Sequence, residues 1–437
     1  MDWRELDRTW DAPYDRMVAM RRDLHRFPEA AWTELRTTSL VASRLAALGW
    51  DVRVGAGLFD AASVMGRPSE GEMAAHVERA RTQGADEAWL RRIDGWPGVV
   101  AELDGGRPGP VVALRFDIDC VEVGEDRSTD HRPAREGFAS ENAGLMHSCG
   151  HDAHTAIGLG VAEMLSKGRG RSGRGKVRLI FQPGEEGCRG AWAMVQAGVV
   201  DDVDAFLALH VGGGVPTGTF GLDAVGYLAT TKFDARFTGV SAHAAGAPHM
   251  GRDALLAAAA ATLGLHSIAP HSDGDMRVGV GVLQAGTGRN VVPASALLKA
   301  ETRGATQEVA SYAYARAVEV IRGAAAMYGV DVELIEQGKG TTATGSPGLV
   351  RRAEEAVRAL GAFDRVVETV RSGGSEDATW MMRRVQERGG EATYMALGSD
   401  IAAPHHSSRF DLDERSMDLG ARAMVAITEA LLAGTGR

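Results

Sequence analysis

The chain has 437 residues, a formal net charge of −10, a pI of about 5.8 and 44% hydrophobic residues. This composition is typical of globular proteins, and the negative charge argues against nucleic acids or anionic membranes as partners, because both attract basic surfaces. Three cysteines do not predict a disulfide framework. The charged N-terminus lacks a secretory signal, and no apolar run is long enough to span a membrane. We therefore expect a cytoplasmic protein.

The first half of the sequence predicts alternating helices and strands. Helical periodicity covers residues 14–48 with a break at 25–29, and a charged, alanine-rich segment predicts a helical insertion at about 55–97. Short apolar runs typical of buried strands follow, with helical segments at 154–165 and 190–199; the strand-like runs are 98–103, 110–116, 176–181 and 205–211. This alternation predicts an α/β domain with a mostly parallel sheet.

The pattern changes after residue 226. Alternating strand patterns and two helical patterns occur in the order of a split βαβ, ferredoxin-like α+β domain, at residues 231–240, 251–268, 277–286, 296–304, 312–329 and 330–337. A helix at 350–361 and an apolar strand at 394–399 then resume the α/β pattern of the first half of the chain. We therefore predict that residues 1–225 and 341–437 form one domain into which a second, 226–340, is inserted.

Polar side chains follow the predicted strands of the first domain. They are Asp117, Asp119, Glu185, Glu186, His210, His405 and His406. Because parallel strands place their carboxyl ends at one edge of a sheet, we expect these side chains to gather there. Ordinary explanations exist for each alone, since aspartates cap helices and turns and a single histidine after a strand is usually structural.

The segment LMHSCGHDAHTA, residues 145–156, is the richest in potential metal ligands. Cys149 and His151 can face one ion, because Gly150 between them allows a close backbone approach. Together with the histidines and carboxylates at the strand ends, these two residues offer more ligands than one tetrahedral ion can bind. This favours a hydrolase site with two ions. One glutamate of the adjacent pair would then be free to act as a general base. A nucleophilic Cys149 is the alternative, and an inert buried thiol is the ordinary explanation.

Eight motifs occur along the chain: MRRDLHRFPE (20–29), RFDID (115–119), MHSCGHDAHT (146–155), FQPGEEG (181–187), ALHV (208–211), GVSAHA (239–244), GRNVVP (288–293) and HHSSRFDLDE (405–414). In this order they resemble the aminoacylase/carboxypeptidase metallopeptidase family, in its cysteine-ligand branch of amidohydrolases. The resemblance implies a di-metal catalytic domain with an inserted dimerisation or lid domain. It implies hydrolysis of an amide bond in a small N-acyl or aroyl amino acid.

The resemblance also implies roles for individual residues. Cys149 would be the ligand shared by two metal ions and Glu185 the general base, and the remaining ligands would be His151, Glu186, His210 and His406. His406 is preferred to His405 because its spacing to Ser407 and Phe410 matches the family. The other implied roles are oxyanion stabilisation across a dimer interface by His243, binding of the substrate carboxylate and carbonyl by Asn290 and Arg303 or Arg289, and orientation of a ligand histidine by Asp119.

Residues 130–160, 194–217 and 284–304, with the helical insertion, resemble one group of this family especially closely. This implies the substrate p-aminobenzoyl-glutamate, a folate breakdown product, and either a homodimer or a heteromer with a related B-type subunit. The cofactor is expected to be two divalent ions, Mn²⁺ by resemblance or Zn²⁺ by the softness of a thiolate ligand. An N-acyl-amino-acid deacylase or dipeptidase is the alternative, and a non-catalytic partner chain is a further one.

Overall fold

The computed structural model describes residues 14–167 and 173–434. Those within Met1–Val225, Ala343–Ser372 and Asp377–Arg437 form a first unit, and Gly226–Thr342 with Gly373–Glu376 form a second. Each unit has its own sheet and its own hydrophobic core. Within the described ranges, every helix is too short or too polar to cross a lipid bilayer.

The first unit begins with elements that include the predicted insertion: α1 (Tyr14–Arg26), α2 (Leu35–Ala47), β1 (Asp51–Arg53), α3 (Glu70–Thr82) and α4 (Glu87–Ile93). It continues with β2 (Val99–Asp104), β3 (Val111–Asp117), α5 (Arg132–Glu136), α6 (His151–Lys167), β4 (Lys176–Gln182), α7 (Gly190–Gln196), β5 (Ala205–Val211) and β6 (Thr219–Val225).

The second unit consists of β7 (Ala229–Thr238), α8 (Ala254–His266), β8 (Met276–Ala285), β9 (Ser295–Gly304), α9 (Gln307–Tyr328) and β10 (Asp331–Gly340). The chain then returns to the first unit with α10 (Pro347–Leu360), β11 (Arg365–Arg371), α11 (Thr379–Glu387), β12 (Glu391–Leu397) and α12 (Arg415–Ala433).

The sheet of the first unit has eight strands in the order β1-β2-β4-β3-β5-β12-β6-β11. Its four central strands, β4, β3, β5 and β12, are parallel neighbours, while β1, β2 and β6 form antiparallel pairs towards the edges. In β3 and β4, six of seven residues are buried, as expected for strands covered on both faces. The structure confirms the predicted α/β class with a mostly parallel sheet.

Helix α6 lies in the centre of this unit, and 14 of its 17 residues are buried. A helix that is covered on all sides must approach its neighbours closely. Gly158 makes this approach possible, because a β-carbon there would lie 2.7 Å from the rings of Phe116 in β3 and Phe181 in β4. The close packing fixes the first turn of α6, which carries His151, relative to the ends of these strands.

The predicted insertion folds as two helices, α3 and α4, that pack on α2. Leu35 of α2, Met73 of α3, and Leu90 and Ile93 of α4 share a small buried cluster. A capping box closes the start of α3, where the Ser69 hydroxyl accepts the Glu72 backbone N–H and the Glu72 carboxylate accepts the Ser69 backbone N–H. The segment thus has local determinants of its own helical structure.

The second unit is a four-stranded antiparallel sheet, β10-β7-β9-β8, with helices α8 and α9. Phe233, Phe237, Leu298 and Ile321 are buried in its core, together with four alanines of α8 that allow the helix to pack closely: Ala254, Ala257, Ala258 and Ala261. The strand–helix–strand–strand–helix–strand order confirms the predicted split βαβ, ferredoxin-like arrangement.

Several elements differ from the sequence prediction. The sequence patterns do not predict β1, α5, β6, β11, α11 and α12, and they place the start of α6 at residue 154 rather than His151. The break in the first helical region spans residues 27–34 rather than 25–29. Of the loop predicted at 166–176, residues 168–172 lie outside the described residues.

Candidate metal centre

Gly150 places Cys149 and His151 at the carboxyl end of β5. Its φ of +92° lies in the left-handed region, and a β-carbon would lie 2.6 Å from Cγ2 of Val211. Both the backbone conformation and the space therefore require glycine. The thiol of Cys149 and the imidazole of His151 are buried on either side of it.

Asp119 orients the imidazole of His151. The Nδ1 of His151 lies 3.2 Å from Oδ1 of Asp119 and 3.0 Å from its backbone oxygen. Its Nε2 is buried and, among the described residues, has no hydrogen-bond partner, although Oδ2 of Asp117 lies 3.7 Å away and Oε2 of Glu185 4.0 Å away. A histidine that donates Nδ1–H to a carboxylate and directs a bare Nε2 among anionic groups has the usual form of a metal ligand.

His210, near the end of β5, has the same form. Its Nδ1 donates to the backbone oxygen of Val211 at 2.8 Å, and its Nε2 lies 3.5 Å from Sγ of Cys149. Two ligands of a tetrahedral ion with ordinary bond lengths are about 3.6 Å apart. Burial and the rings of His154 and His405 keep the pKa of His210 well below its usual value, so the imidazole is neutral and able to bind a metal.

Glu186 and His406 form the other side of the group of side chains around Cys149. The Nε2 of His406 lies 3.2 Å from Oε1 of Glu186, and the Glu186 backbone N–H donates to Oδ2 of Asp119 at 2.8 Å. Hydrogen bonds to Cys149 and Glu186 raise the pKa of His406 to about 10, which shows that this part of the site favours positive charge. His406 also has a φ of +65°, an uncommon conformation for a non-glycine residue that is concentrated at functional sites.

These residues form two candidate ligand triads that share Cys149. One is Cys149, His151 and His210, and the other is Cys149, Glu186 and His406; within each triad the ligand atoms lie within 4.8 Å of one another. Glu185 forms a third such group with His151 and Glu186. The mixture of sulfur, nitrogen and oxygen donors suits zinc or manganese, so the residues present fit a pair of divalent ions.

Neighbouring groups in the same segment have structural partners instead. The Nδ1 of His154 contacts Oδ1 of Asp117 at 2.5 Å, and its Nε2 accepts the backbone N–H of Val211 at 3.0 Å. Asp152 pairs with Arg21 at 3.0 Å. LMHSCGHDAHTA therefore contributes two residues, Cys149 and His151, to the ligand triads.

His405 is not in either ligand triad. The Gly213 backbone N–H lies 3.5 Å from its Nε2, and its ring packs against those of His210 and Phe410. Burial and neighbouring histidines lower its pKa to about 4. The geometry thus favours His406 over His405 as the ligand.

Two buried carboxylates that support the Glu185–Glu186 turn were missed by sequence reasoning. Oε1 of Glu34 accepts the Gly184 N–H at 2.7 Å, and Oδ2 of Asp377 accepts the N–H groups of Gly190 and Ala191 at 3.2 and 2.9 Å. Both come from distant parts of the chain, and neither belongs to a recognisable motif. A single sequence therefore contains no signal for these contacts.

The second unit brings His243 and Asn290 together. An isolated β-bridge joins His243 to Val291, and the Ala244 N–H donates to the backbone oxygen of Asn290 at 3.0 Å. The Nδ1 of the exposed His243 ring accepts the N–H groups of Ala245 and Gly246 at 3.2 and 2.9 Å. Because Nδ1 accepts these two hydrogen bonds, Nε2 is the ring nitrogen that carries a proton and can donate to a substrate oxygen.

Arg303 lies far from this pair within the same unit. It follows Ser295 by eight residues along β9, a distance of about 27 Å in an extended strand. Its guanidinium pairs with Glu301 at 2.9 Å and donates to Ser375 Oγ at 3.4 Å, whereas Arg289 lies in the exposed loop next to Asn290. One chain therefore does not place Arg303 beside Asn290 and His243, and the predicted roles of these residues stay predictions.

Comparisons with known proteins identify the family of the chain. A sequence model described as peptidase family M20/M25/M40 matches residues 113–430. An indole-3-acetyl-aspartic acid hydrolase of Enterobacter agglomerans is 53% identical, covering 93% of this chain and 94% of the relative. The A-type subunit of the p-aminobenzoyl-glutamate hydrolase of Escherichia coli K12 is 51% identical, covering 92% of this chain and 93% of the relative.

Solved structures give the same relationship. The crystal structure of an aminobenzoyl-glutamate utilization protein from Klebsiella pneumoniae has a TM-score of 0.81 and 45% identity, covering 97% of this chain and 96% of that one. A Bacillus subtilis protein described as a dinuclear metal binding peptidase from the M20 family has a TM-score of 0.66 and 26% identity, covering 96% and 98%. The chain belongs to peptidase family M20/M25/M40 and is a hydrolase that acts on amide bonds.

Proposed function

We propose that this chain hydrolyses the amide bond of p-aminobenzoyl-glutamate, releasing p-aminobenzoate and glutamate. The observation that carries the proposal is the pair of ligand triads sharing Cys149 directly beside Glu185. The identity of 51% to the A-type chain of a p-aminobenzoyl-glutamate hydrolase supports the choice of substrate. The complete ligand set argues against a purely non-catalytic partner chain.

The adjacent glutamates divide the work of the reaction. Two bound divalent cations would lower the pKa of water and polarise the amide carbonyl. Glu185, which lies 4.0 Å from Nε2 of His151, removes a proton from the attacking water and then delivers it to the leaving nitrogen. Glu186 would hold one cation with Cys149 and His406, while His151 and His210 would hold the other with Cys149. Nε2–H of His243 donates to the developing oxyanion.

We propose two ions of Mn²⁺ or Zn²⁺. The thiolate and imidazole donors favour zinc, whereas the glutamate and the likeness to the cysteine-ligand amidohydrolases favour manganese. Asp119 supports both sites, because it contacts His151 through Oδ1 and the Glu186 backbone through Oδ2.

We propose that the second unit, residues 226–340 in the sequence prediction, is a dimerisation or lid domain in a cytoplasmic homodimer or a heteromer with a B-type subunit. Within the described ranges, the large apolar side chains that are exposed all belong to it: Val240, Met250, Leu255, Leu256, Leu263, Leu283, Val291 and Met327. Such a concentration is typical of an interaction surface. The separation of Arg303 from His243 and Asn290 also fits a site that takes these two residues from a partner chain.

A second candidate function is hydrolysis of indole-3-acetyl-aspartate, which is favoured by the relative at 53% identity. The reaction at the metal centre is the same for both compounds. The difference lies in the aryl group and in the length of the acidic amino acid.

Hydrolysis of a substrate panel by the purified chain tests these proposals. The panel contains p-aminobenzoyl-glutamate, indole-3-acetyl-aspartate, N-acetyl-leucine and alanyl-alanine, with metal content measured on the same sample. We expect the highest kcat/KM for p-aminobenzoyl-glutamate. A preference for indole-3-acetyl-aspartate would select the second candidate, and turnover of only the aliphatic compounds would exclude both.

A further inference from the structure

Arg189 follows the Glu185–Glu186 turn and, within residues 14–167 and 173–434, its guanidinium has no hydrogen-bond or ion-pair partner. Its Nε is buried although the residue as a whole is only partly buried. Arginines of this unit that are well buried face carboxylates, as Arg36 does with Asp23 at 2.9 Å. A partly desolvated cation without a counter-charge is unfavourable, so an anion from outside the chain would be stabilised at Arg189.

The local backbone holds this cation close to the proposed metal ligands. The N–H groups of Arg189 and Gly190 both donate to the backbone oxygen of Gly184 at 2.9 Å, which closes the turn. The guanidinium lies over Gly187, where a β-carbon would be 2.7 Å from its Nε and 3.4 Å from its Cζ and Nη2. Since Gly187 directly follows Glu186, the unpartnered cation lies beside the proposed catalytic centre.

Charge at this edge of the sheet defines what such a cation can do. A second carboxylate on a substrate cannot pair with Glu185, Glu186 or Asp119, which are themselves acidic, and the two proposed metal ions would be engaged with the amide carbonyl and water, so it needs a separate cation. A guanidinium can bind a carboxylate through two parallel N–H donors, which adds directional selectivity to the charge.

We propose that Arg189 binds the side-chain carboxylate of the substrate's amino acid and thereby selects N-acyl derivatives of aspartate and glutamate. This inference rests on the proposed function, which supplies the amide substrate whose amino acid carries this second carboxylate. Only acidic amino acids have a second carboxylate, and two relatives above 50% identity are named for amides of aspartate and glutamate.

The test compares p-aminobenzoyl-glutamate with p-aminobenzoyl-glutamine, which differ only in the charge of the side-chain terminus. We expect Arg189→Gln to lower kcat/KM for the glutamate compound by roughly 10- to 100-fold, mainly through KM, and to change that for the glutamine compound by less than about threefold. Arg189→Lys should retain part of the preference. The control Arg384→Gln, which removes an ion pair with Asp201 at 2.7 Å, should leave the preference unchanged.

Equal losses on both substrates, no loss on either, or a lower metal content in Arg189→Gln would each overturn the inference. If the wild-type chain hydrolyses neither compound, the proposed function fails, and calorimetric binding of free L-glutamate and L-glutamine tests Arg189 separately. The inference then requires tighter binding of glutamate by the wild type and loss of that difference in Arg189→Gln. Absence of a preference in the wild type, or its retention in the variant, would contradict it.

Discussion

Glu185 and Glu186 are adjacent in sequence but have different surroundings. Glu186 lies 3.2 Å from His406 and shares a ligand triad with Cys149, whereas Glu185 is buried and faces Nε2 of His151 at 4.0 Å. One carboxylate can thus hold a cation while the other transfers a proton. The difference makes the two residues separable by matched substitutions.

Glu185→Gln should lower kcat by roughly 10²- to 10⁴-fold because the proton acceptor is lost, while the metal content stays at the wild-type value. Glu186→Gln, a substitution of the same size and chemistry, should instead lower the metal content because it removes an anionic ligand. Elemental analysis and steady-state kinetics on the same samples separate these effects. Wild-type turnover by Glu185→Gln with its metals bound would show that Glu185 is not the base.

Sequence reasoning could predict the candidate ligands because metal-binding residue types are rare and lie at the ends of predicted strands. His210 and the Glu185–Glu186 pair follow apolar runs that the structure confirms as β5 and β4. Glu34 and Asp377 could not be predicted, because glutamate and aspartate are common and their contacts join distant parts of the chain. The unpartnered state of Arg189 likewise depends on which carboxylates fold towards it.

Helix α1 is joined to the start of α6 and to the segment before α12 by a buried charge cluster. Arg21 of α1 contacts Asp152 at 3.0 Å, Asp411 at 2.8 Å and Glu414 at 3.2 Å, and Arg132 also pairs with Asp411 and Glu414. Because Asp152 follows His151 and Asp411 lies five residues after His406, the cluster connects elements that carry both ligand triads.

The pH dependence of stability should report this cluster. Burial opposes the charge of Asp411, but Arg132 and Arg21 outweigh it and lower its pKa to about 2. The folded-state pKa is thus below the unfolded value of about 4, so the stabilisation is present above pH 4 and is lost as the pH falls towards 2. Between pH 4 and pH 2, the free energy of unfolding of Asp411→Asn should therefore fall by about 2 kcal/mol less than that of the wild type.

Urea unfolding of the metal-free chain at a series of pH values measures this difference. At pH 7, Asp411→Asn should be less stable by about 3 kcal/mol, because Arg21 and Arg132 lose a buried partner. The control Glu354→Gln removes an exposed pair with Arg358 and should change the free energy of unfolding by less than about 0.5 kcal/mol. Identical pH profiles for Asp411→Asn and wild type would rule out this electrostatic contribution.

The strands that lead to the candidate ligands have clearer sequence patterns than the strands at the edges of the sheet. β3 and β4 are short apolar runs with six of seven residues buried, so their pattern is clear. β11 is an edge strand whose sequence, RVVETVR, leaves all seven residues exposed or half-buried. Its pairing with β6 depends on tertiary context, which explains why the sequence did not predict it.

Among the described residues, the exposed large apolar side chains belong to the second unit, and this predicts that the chain associates through that unit. Leu256 and Leu263 are 46% and 76% exposed and, being seven residues apart, lie on one face of α8. Leu263→Asp should weaken a homodimer at least about tenfold, because a charge would be buried in the interface. Sedimentation analysis measures this, with Arg91→Asp, at an exposed position of α4, as the control. A wild-type monomer would require a different partner chain.

A mixture of two inactive variants tests whether His243 acts across that interface. His243→Ala lacks the oxyanion donor and Glu185→Gln lacks the base, so each homodimer should be inactive. Mixed dimers would contain one site with both wild-type residues, and we expect activity to recover to roughly a quarter of the wild-type value for random pairing with one intact site per mixed dimer. No recovery after proven exchange of chains would mean that His243 acts within its own chain or has no catalytic role.

The proposed mechanism requires that Cys149 is shared by two cation sites and that both sites are occupied during amide hydrolysis. Metal titration into the chelator-treated chain, with bound metal and p-aminobenzoyl-glutamate hydrolysis measured together, is the decisive test. We predict that activity reaches its maximum at two equivalents, that His210→Ala and His406→Ala each weaken one site, and that Cys149→Ala weakens both. Full activity at one equivalent, or two undisturbed sites in Cys149→Ala, would contradict the mechanism.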